Sequence, residues 1–321
     1  MIIGASYHAR PEASSVAAPS NHLDRIAPQS LLPCVAERRM KTGGTMTNKG
    51  YPHERFLIDL PWLQERLGDP RLRIIDARPI AEYANGHLPG ATNVDFYALR
   101  TEDTDPPGVE DWQDRQLAAL RAAGINDDSL VVVYDEQSLT NAARGVWVLD
   151  YFGHRSVQML DGGLSAWIED GGLLTTDLPM VAPGNITPAF DRAKLATYRD
   201  IIDRLDNADT VILDTRRITE YLGQEQRTKR SGTIPGSVYL EWTNHLDEDG
   251  MIRNADELRA LFAAHGITPD KEIIPFCGGG YRSAHAYLVL TMLGYPRVRN
   301  YLGSWGEWGN RDNTPIVIPQ Q

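Results

Sequence analysis

Short apolar runs rich in β-branched residues recur along the chain: RIIDA (73–77), VVVYD (131–135), TVILDT (210–215) and EIIPF (272–276). They are too short for helices and are bounded by polar or turn-forming residues, as buried strands are. Between them the apolar positions return every three or four residues, as in LPWLQERL (60–67), WQDRQLAALRAAG (112–124) and ADELRALFAAHG (255–266), the period of a helix that buries one face. Strands that are apolar throughout, alternating with amphipathic helices, predict an α/β fold around a mostly parallel sheet covered on both faces. Ligands of such sheets bind past the carboxyl ends of strands, where loops lead into helices. Pro275 lies inside one predicted strand and has no N–H for a ladder, so it is expected to mark where that strand ends.

The pattern occurs twice. RIIDARPIAEYANGHLPGATNV (73–94) matches VILDTRRITEYLGQEQRTKRSGTIPGSVYL (211–240), and residues 120–167 match residues 261–308 along their whole length. The repeat predicts two tandem domains, residues 51–175 and 191–321, joined by a Pro- and Gly-bearing linker over 176–190. Residues 1–50 are rich in Ala, Ser, Pro, Gly and Thr, lack a sustained apolar period, and are expected to form a disordered tail.

Composition narrows the function. Of 321 residues, 42% are hydrophobic and 23% charged, which fits an ordinary globular protein, and no run approaches the ~18 apolar residues of a membrane span. A net charge of -11 argues against nucleic-acid or anionic-membrane binding, while leaving room for a local basic pocket that attracts a small anion. Two cysteines, Cys34 in the tail and Cys277, make neither a disulfide framework nor a four-ligand zinc site. A reducing, cytoplasmic setting with no metal and no cofactor is the expectation.

Comparing the halves separates fold from chemistry. Asp-x-Arg, Glu-Tyr, Pro-Gly and the terminal Trp occur in both, whereas CGGGYRSA (277–284) occurs only in the second, with Asp135 in the place of Cys277. This loop follows a strand and opens a helix. A thiol needs help to ionise at neutral pH. Gly278, Gly279 and Gly280 permit positive φ and an inward nest of N–H groups, the helix N-terminus favours negative charge, Arg282 adds a cation, and Ser283 adds a hydroxyl. The devices that lower a thiol pKa would also hold an anionic substrate. Alone, each part has a plainer reading as buried Cys, flexible turn or solvated Arg; their conjunction points to catalysis.

The two-copy arrangement, together with DTRRITEY (214–221), SGTIPGSVYLEW (231–242), CGGGYRSA and LGSWGEW (302–308), resembles the tandem-domain rhodanese family of sulfurtransferases. That resemblance implies two rhodanese-like domains, the first catalytically inactive and the second active. It also implies a double displacement in which Cys277 takes sulfane sulfur as a persulfide and passes it to cyanide or a thiol. Gly278, Gly279, Gly280, Tyr281, Arg282 and Ser283 would bind the donor; Arg216, Glu220 and Trp242 are secondary candidates with plainer roles in strand-end bonding and packing.

The family pattern for 3-mercaptopyruvate is C-G-S-G-V-T, and Tyr281 and Arg282 replace its last two residues, which favours thiosulfate as the small anionic donor. 3-Mercaptopyruvate remains an alternative, as does a persulfide carrier fed by a desulfurase, with thiol or thioredoxin-like acceptors. A cysteine phosphatase would place five residues between Cys and Arg, whereas GGGY supplies four. Residues 223–230 (GQEQRTKR), an insertion peculiar to the second copy, could guide an anion or dock a partner, or be a solvated loop. His245, His265 and His285 have no recognisable catalytic partner.

Overall fold

A computed structural model describes residues 49–53, 55–137 and 140–320. Nearly all of the expected tail, with Cys34, lies outside the described residues. Lys49, at its end, already pairs with Asp161 and donates to Ile252 O at 2.7 Å.

The first copy runs β1 (Leu57–Ile58), α1 (Leu60–Gln64), β2 (Leu72–Asp76), α2 (Ile80–Asn85) and β3 (Thr92–Asn93). It continues through α3 (Pro106–Ala122), β4 (Leu130–Tyr134), α4 (Thr140–Tyr151), β5 (Val157–Leu160) and α5 (Gly163–Glu169). All its strands are parallel, in the order β1-β5-β4-β2-β3. The second copy opens with β6 (Leu195–Ala196), α6 (Tyr198–Ile202), β7 (Thr210–Asp214), α7 (Ile218–Tyr221) and β8 (Val238–Tyr239). It closes with α8 (Ala255–Ala264), β9 (Glu272–Phe276), α9 (Arg282–Met292), β10 (Asn300–Tyr301) and α10 (Ser304–Trp308). Its strands also pair in parallel, in two pieces, β10-β6 and β8-β7-β9, linked by the bridge between Ile273 and Val298.

Pro275 accounts for the split, and the strand does not end there as expected. β9 runs on to Phe276 and pairs with β7 over its full length, including Leu213 opposite Pro275. Residues 272, 274 and 276 face β7, while Ile273 and Pro275 face the β10 side, where Ile273 N donates to Arg297 O and Arg299 N to Ile273 O. The next rung would need the N–H that proline lacks. In the first copy Val133 takes this place and the ladder to Met159 is intact.

Local chemistry explains the element ends. Asp59 caps α1 by accepting from Trp62 N at 3.0 Å, and Asn254 caps α8 through Glu257 N at 3.0 Å. β2 and β7 each end in the same device. Asp76 takes Arg78 in a fork while Arg78 also donates to Gly86 O, and Asp214 holds Arg216, which donates to Gly232 O. The linker lies along the first copy, with Ile186 buried and Ile186 N donating to Ile125 O. One hydrophobic core runs through both copies, joining Trp112 and Trp147 of the first to Phe262 and Leu288 of the second. α4 packs on α9, and Tyr287 of α9 donates to the buried Asp150 of α4 at 2.7 Å. Among the described residues no helix is long and apolar enough to cross a membrane.

Candidate active site

β9 delivers Cys277 to the turn between its last residue and α9, where the thiol is free and only 1% exposed. Gly280 N and Tyr281 N point at Sγ from 3.1 and 3.2 Å. The turn is pinned from behind by the segment entering α10. Trp305 N donates to Cys277 O at 2.9 Å, Gly306 N to Gly278 O at 2.8 Å, and Ser304 Oγ accepts from Cys277 N at 3.1 Å. Ser304 does this at a φ of 50°, a conformation uncommon outside glycine; its counterpart in the first copy is Gly163, at a φ of 52°.

The first copy shows what the turn is built to hold. The Asp135 carboxylate accepts from Asn141 N and Ala142 N at 3.0 Å each, so a fixed anion caps α4 where the thiol stands before α9. At Cys277, burial pushes the thiol up, but the Arg282 charge and the Ser283 and Gly279 amides outweigh it and hold the thiol below its ordinary value. The second copy therefore keeps the anion-stabilising turn and places a thiol where the first has a carboxylate.

Of the three glycines only Gly280 has a positive φ, 86°, and a Cβ there would come within 2.5 Å of Arg144 Nη1. Gly278 and Gly279 do not need their conformational freedom as the three-glycine reading expects. Tyr281 is buried and its hydroxyl donates to Phe96 O at 3.0 Å, tying the turn to the first copy. Ser283 Oγ lies 3.7 Å from Sγ but 2.6 Å from Asn300 Oδ1, so its single proton goes to Asn300. Arg282 forms a two-nitrogen pair with the buried Glu220, at 2.6 and 3.1 Å, and is not the unshared cation that the sequence suggests. Burial pushes the Glu220 carboxyl up, but Arg282, with the Arg217 amide and the Arg216 charge, together outweigh it and hold it below its ordinary value.

Cys277, Gly278, Gly279, Tyr281 and Arg282 line a cavity of 630 Å³, with Glu220 and Trp242 in its wall. Arg216 does not line it; it is spent on Asp214 and packs 4.3 Å from the Trp305 ring. Both copies contribute to the wall. Tyr97, Arg100 and Glu102 come from the first, and Arg217, Arg227 and Thr228 join from the second, which brings part of the 223–230 insertion to the mouth. Asn300 and Arg144 complete the turn from below, each donating to Gly280 O, at 3.1 and 3.0 Å. Sequence reasoning passes over Arg100, Arg144, Asn300 and Ser304. Arg144 alone left a signal there, as one of two charges, with Asp150, in the largely apolar α4.

The model of the rhodanese-like domain matches residues 59–170 and again 197–311. The sulfur carrier protein TtuD of Thermus thermophilus is 35% identical over 84% of this chain and 98% of its own. A thiosulfate sulfurtransferase of Azotobacter vinelandii is 36% identical, covering 82% of this chain and 97% of the relative. Among solved structures, the 3-mercaptopyruvate sulfotransferase SseA of Escherichia coli superposes with a TM-score of 0.69 at 33% identity, over 78% of this chain and 98% of SseA. A thiol in an amide cradle, two copies of one parallel sheet and full-length relatives of this kind give one conclusion: the chain belongs to the rhodanese-like family and carries its domain twice.

Proposed function

We propose that the protein is a sulfurtransferase that works by double displacement through a persulfide on Cys277, with thiosulfate as donor. The observation that carries the reading is the Cys277 sulfur, facing two backbone N–H groups at the inner end of a cavity with arginines in its wall. The Cys277 thiolate attacks the outer sulfur of thiosulfate. The S–S bond breaks, sulfite leaves with the bonding pair, and the charge moves to the outer sulfur of Cys–S–S⁻. Cyanide or a thiolate then takes that sulfur and returns the thiolate, so each half-reaction balances without a cofactor. Fixed amide dipoles stabilise both anions without reorganising.

Because Glu220 shares the Arg282 charge, a dianionic donor draws on cations farther out in the wall. Arg217 and Arg227 supply further positive charge in the wall, and Arg227 is itself paired with Glu225. Steady-state kinetics with thiosulfate and 3-mercaptopyruvate side by side test the donor: thiosulfate should give the larger kcat/KM by about tenfold or more, and Arg217→Ala should raise its KM with little change in kcat. The opposite order of donors would overturn the thiosulfate reading. A second reading, a carrier that receives sulfur from a desulfurase and gives it to a thioredoxin-like or other protein thiol, is supported by the likeness to a sulfur carrier protein. The cavity, far larger than thiosulfate needs, supports it too. Faster loading from a desulfurase than from any small donor would favour the carrier.

A further inference from the structure

Arg144 is a fully buried arginine that the sulfur-transfer chemistry above does not use. It stands on α4, in the copy that has no cysteine. Among the described residues no carboxylate pairs with it, and its Nε and Nη2 have no hydrogen-bond partner. An unpaired buried cation is costly, by several kcal/mol in general, so its charge needs an account. The guanidinium lies 4.5 Å from the Trp147 ring and 5.3 Å from the Tyr281 ring, which gives it faces of negative potential but no counter-charge.

Its one hydrogen bond shows where it acts. Nη1 donates to Gly280 O, and that carbonyl belongs to the same peptide group as Tyr281 N, which points at the Cys277 sulfur from 3.2 Å. A cation on the oxygen of an amide polarises its N–H and fixes the plane in which it points. We propose that Arg144 is the buried counter-cation of Cys277, a positioning residue from the cysteine-free copy that orients the Gly280–Tyr281 amide and supplies charge to the thiolate and, resting on the sulfur-transfer reading, to its persulfide. The other groups facing the sulfur are Arg282 with its partner Glu220, and the Tyr281 phenol, whose own proton is held by Phe96 O. Burial drives the Arg144 charge down, and Tyr281 and Cys277 act in the opposite direction.

The test uses the full chain with Arg144→Gln, which removes the charge but can keep the bond to Gly280 O, and Arg144→Lys, which keeps the charge. The pH profile of Cys277 alkylation by iodoacetamide should move up by about one unit in Arg144→Gln, a loss of about tenfold in rate on the acid limb of the profile, and Arg144→Lys should recover at least half of that. Superimposable profiles for wild type and Arg144→Gln overturn the proposal. Should Arg144→Gln not fold, Arg144→Lys combined with Cys277→Ala decides. Arg144→Lys should lower the melting temperature more at pH 9 than at pH 5 when Cys277 is present, and equally at both when it is absent; equal loss in both backgrounds overturns the proposal. Alkylation needs no sulfur donor. A wild type that takes up no sulfur while its Arg144 variants still shift the thiol would therefore sink the sulfur-transfer reading and leave the counter-cation standing.

Discussion

Arg282 reaches Glu220 with two nitrogens, so the cation that does most to lower the thiol is already shared before any donor arrives. The sequence shows Arg282 beside Cys277 and offers Glu220 as a secondary candidate, but not that Glu220, in α7, folds against Arg282; proximity in the chain was legible and charge balance was not. A prediction follows from that balance. Glu220→Gln should leave Arg282 uncompensated, lower the alkylation midpoint of Cys277 further, and reduce the KM for thiosulfate by about three- to tenfold. Steady-state kinetics and the alkylation profile check it; a higher KM with an unchanged profile would mean that Glu220 only holds Arg282 in place. The direction of the wild-type pH dependence also follows. The thiol lies below its ordinary value and the thiolate is the reactive form, so sulfur uptake should fall as pH drops through the folded-state pKa and level off above it.

At the scale of elements, the alternation of apolar runs and amphipathic helices gave the five-residue strands β2, β4, β7 and β9, because a strand buried on both faces has few other sequences open to it. The shortest strands were not legible: β1, β3, β6, β8 and β10 are two residues each, too few to show a period, and only β3 and β8 are laddered to a long strand, while β1 pairs with β5 and β6 with β10. Pro275 misled for a related reason, since proline removes a donor on one side only and β9 keeps its other ladder. The Cys277 turn was legible as a unit, yet its glycines are not equivalent. Gly280→Ala should destabilise the protein by about 1–2 kcal/mol or more and cut sulfur uptake, because it forces a side chain into positive φ against Arg144 and Leu302 O. Gly278→Ala meets only the Arg282 guanidinium, which Glu220 holds, and keeps an ordinary φ, so it should cost less than Gly280→Ala. Thermal melts of the two variants decide the matter; equal losses would contradict the asymmetry.

Across the whole molecule, the first copy is part of the site as well as a relic of duplication. Its α4 carries Arg144 to the turn, its 97–102 segment walls the cavity, and Thr104 donates to the buried Glu307 of α10 through both its amide and its hydroxyl. Beside that contact, hydrogen bonds from Arg199 and then Arg311 hold the Asp105 carboxyl down at about 2. A depressed carboxyl stabilises the fold fully above its unfolded value of ~3.9 and loses that contribution as pH falls towards 2. Asp105→Asn should therefore lower the melting temperature at pH 7 and approach wild type below pH 3, and a difference constant across that range would contradict the clamp. None of these contacts between copies could be read from the chain, because the repeat defines each domain but not the face on which they meet. The central claim concerns one atom, and intact-mass spectrometry after thiosulfate treatment tests it most directly. The wild type should gain about 32 Da, the mass of one sulfur, lose it on adding cyanide, and show no gain in Cys277→Ala; an adduct that persists in Cys277→Ala, or none in the wild type, would contradict it.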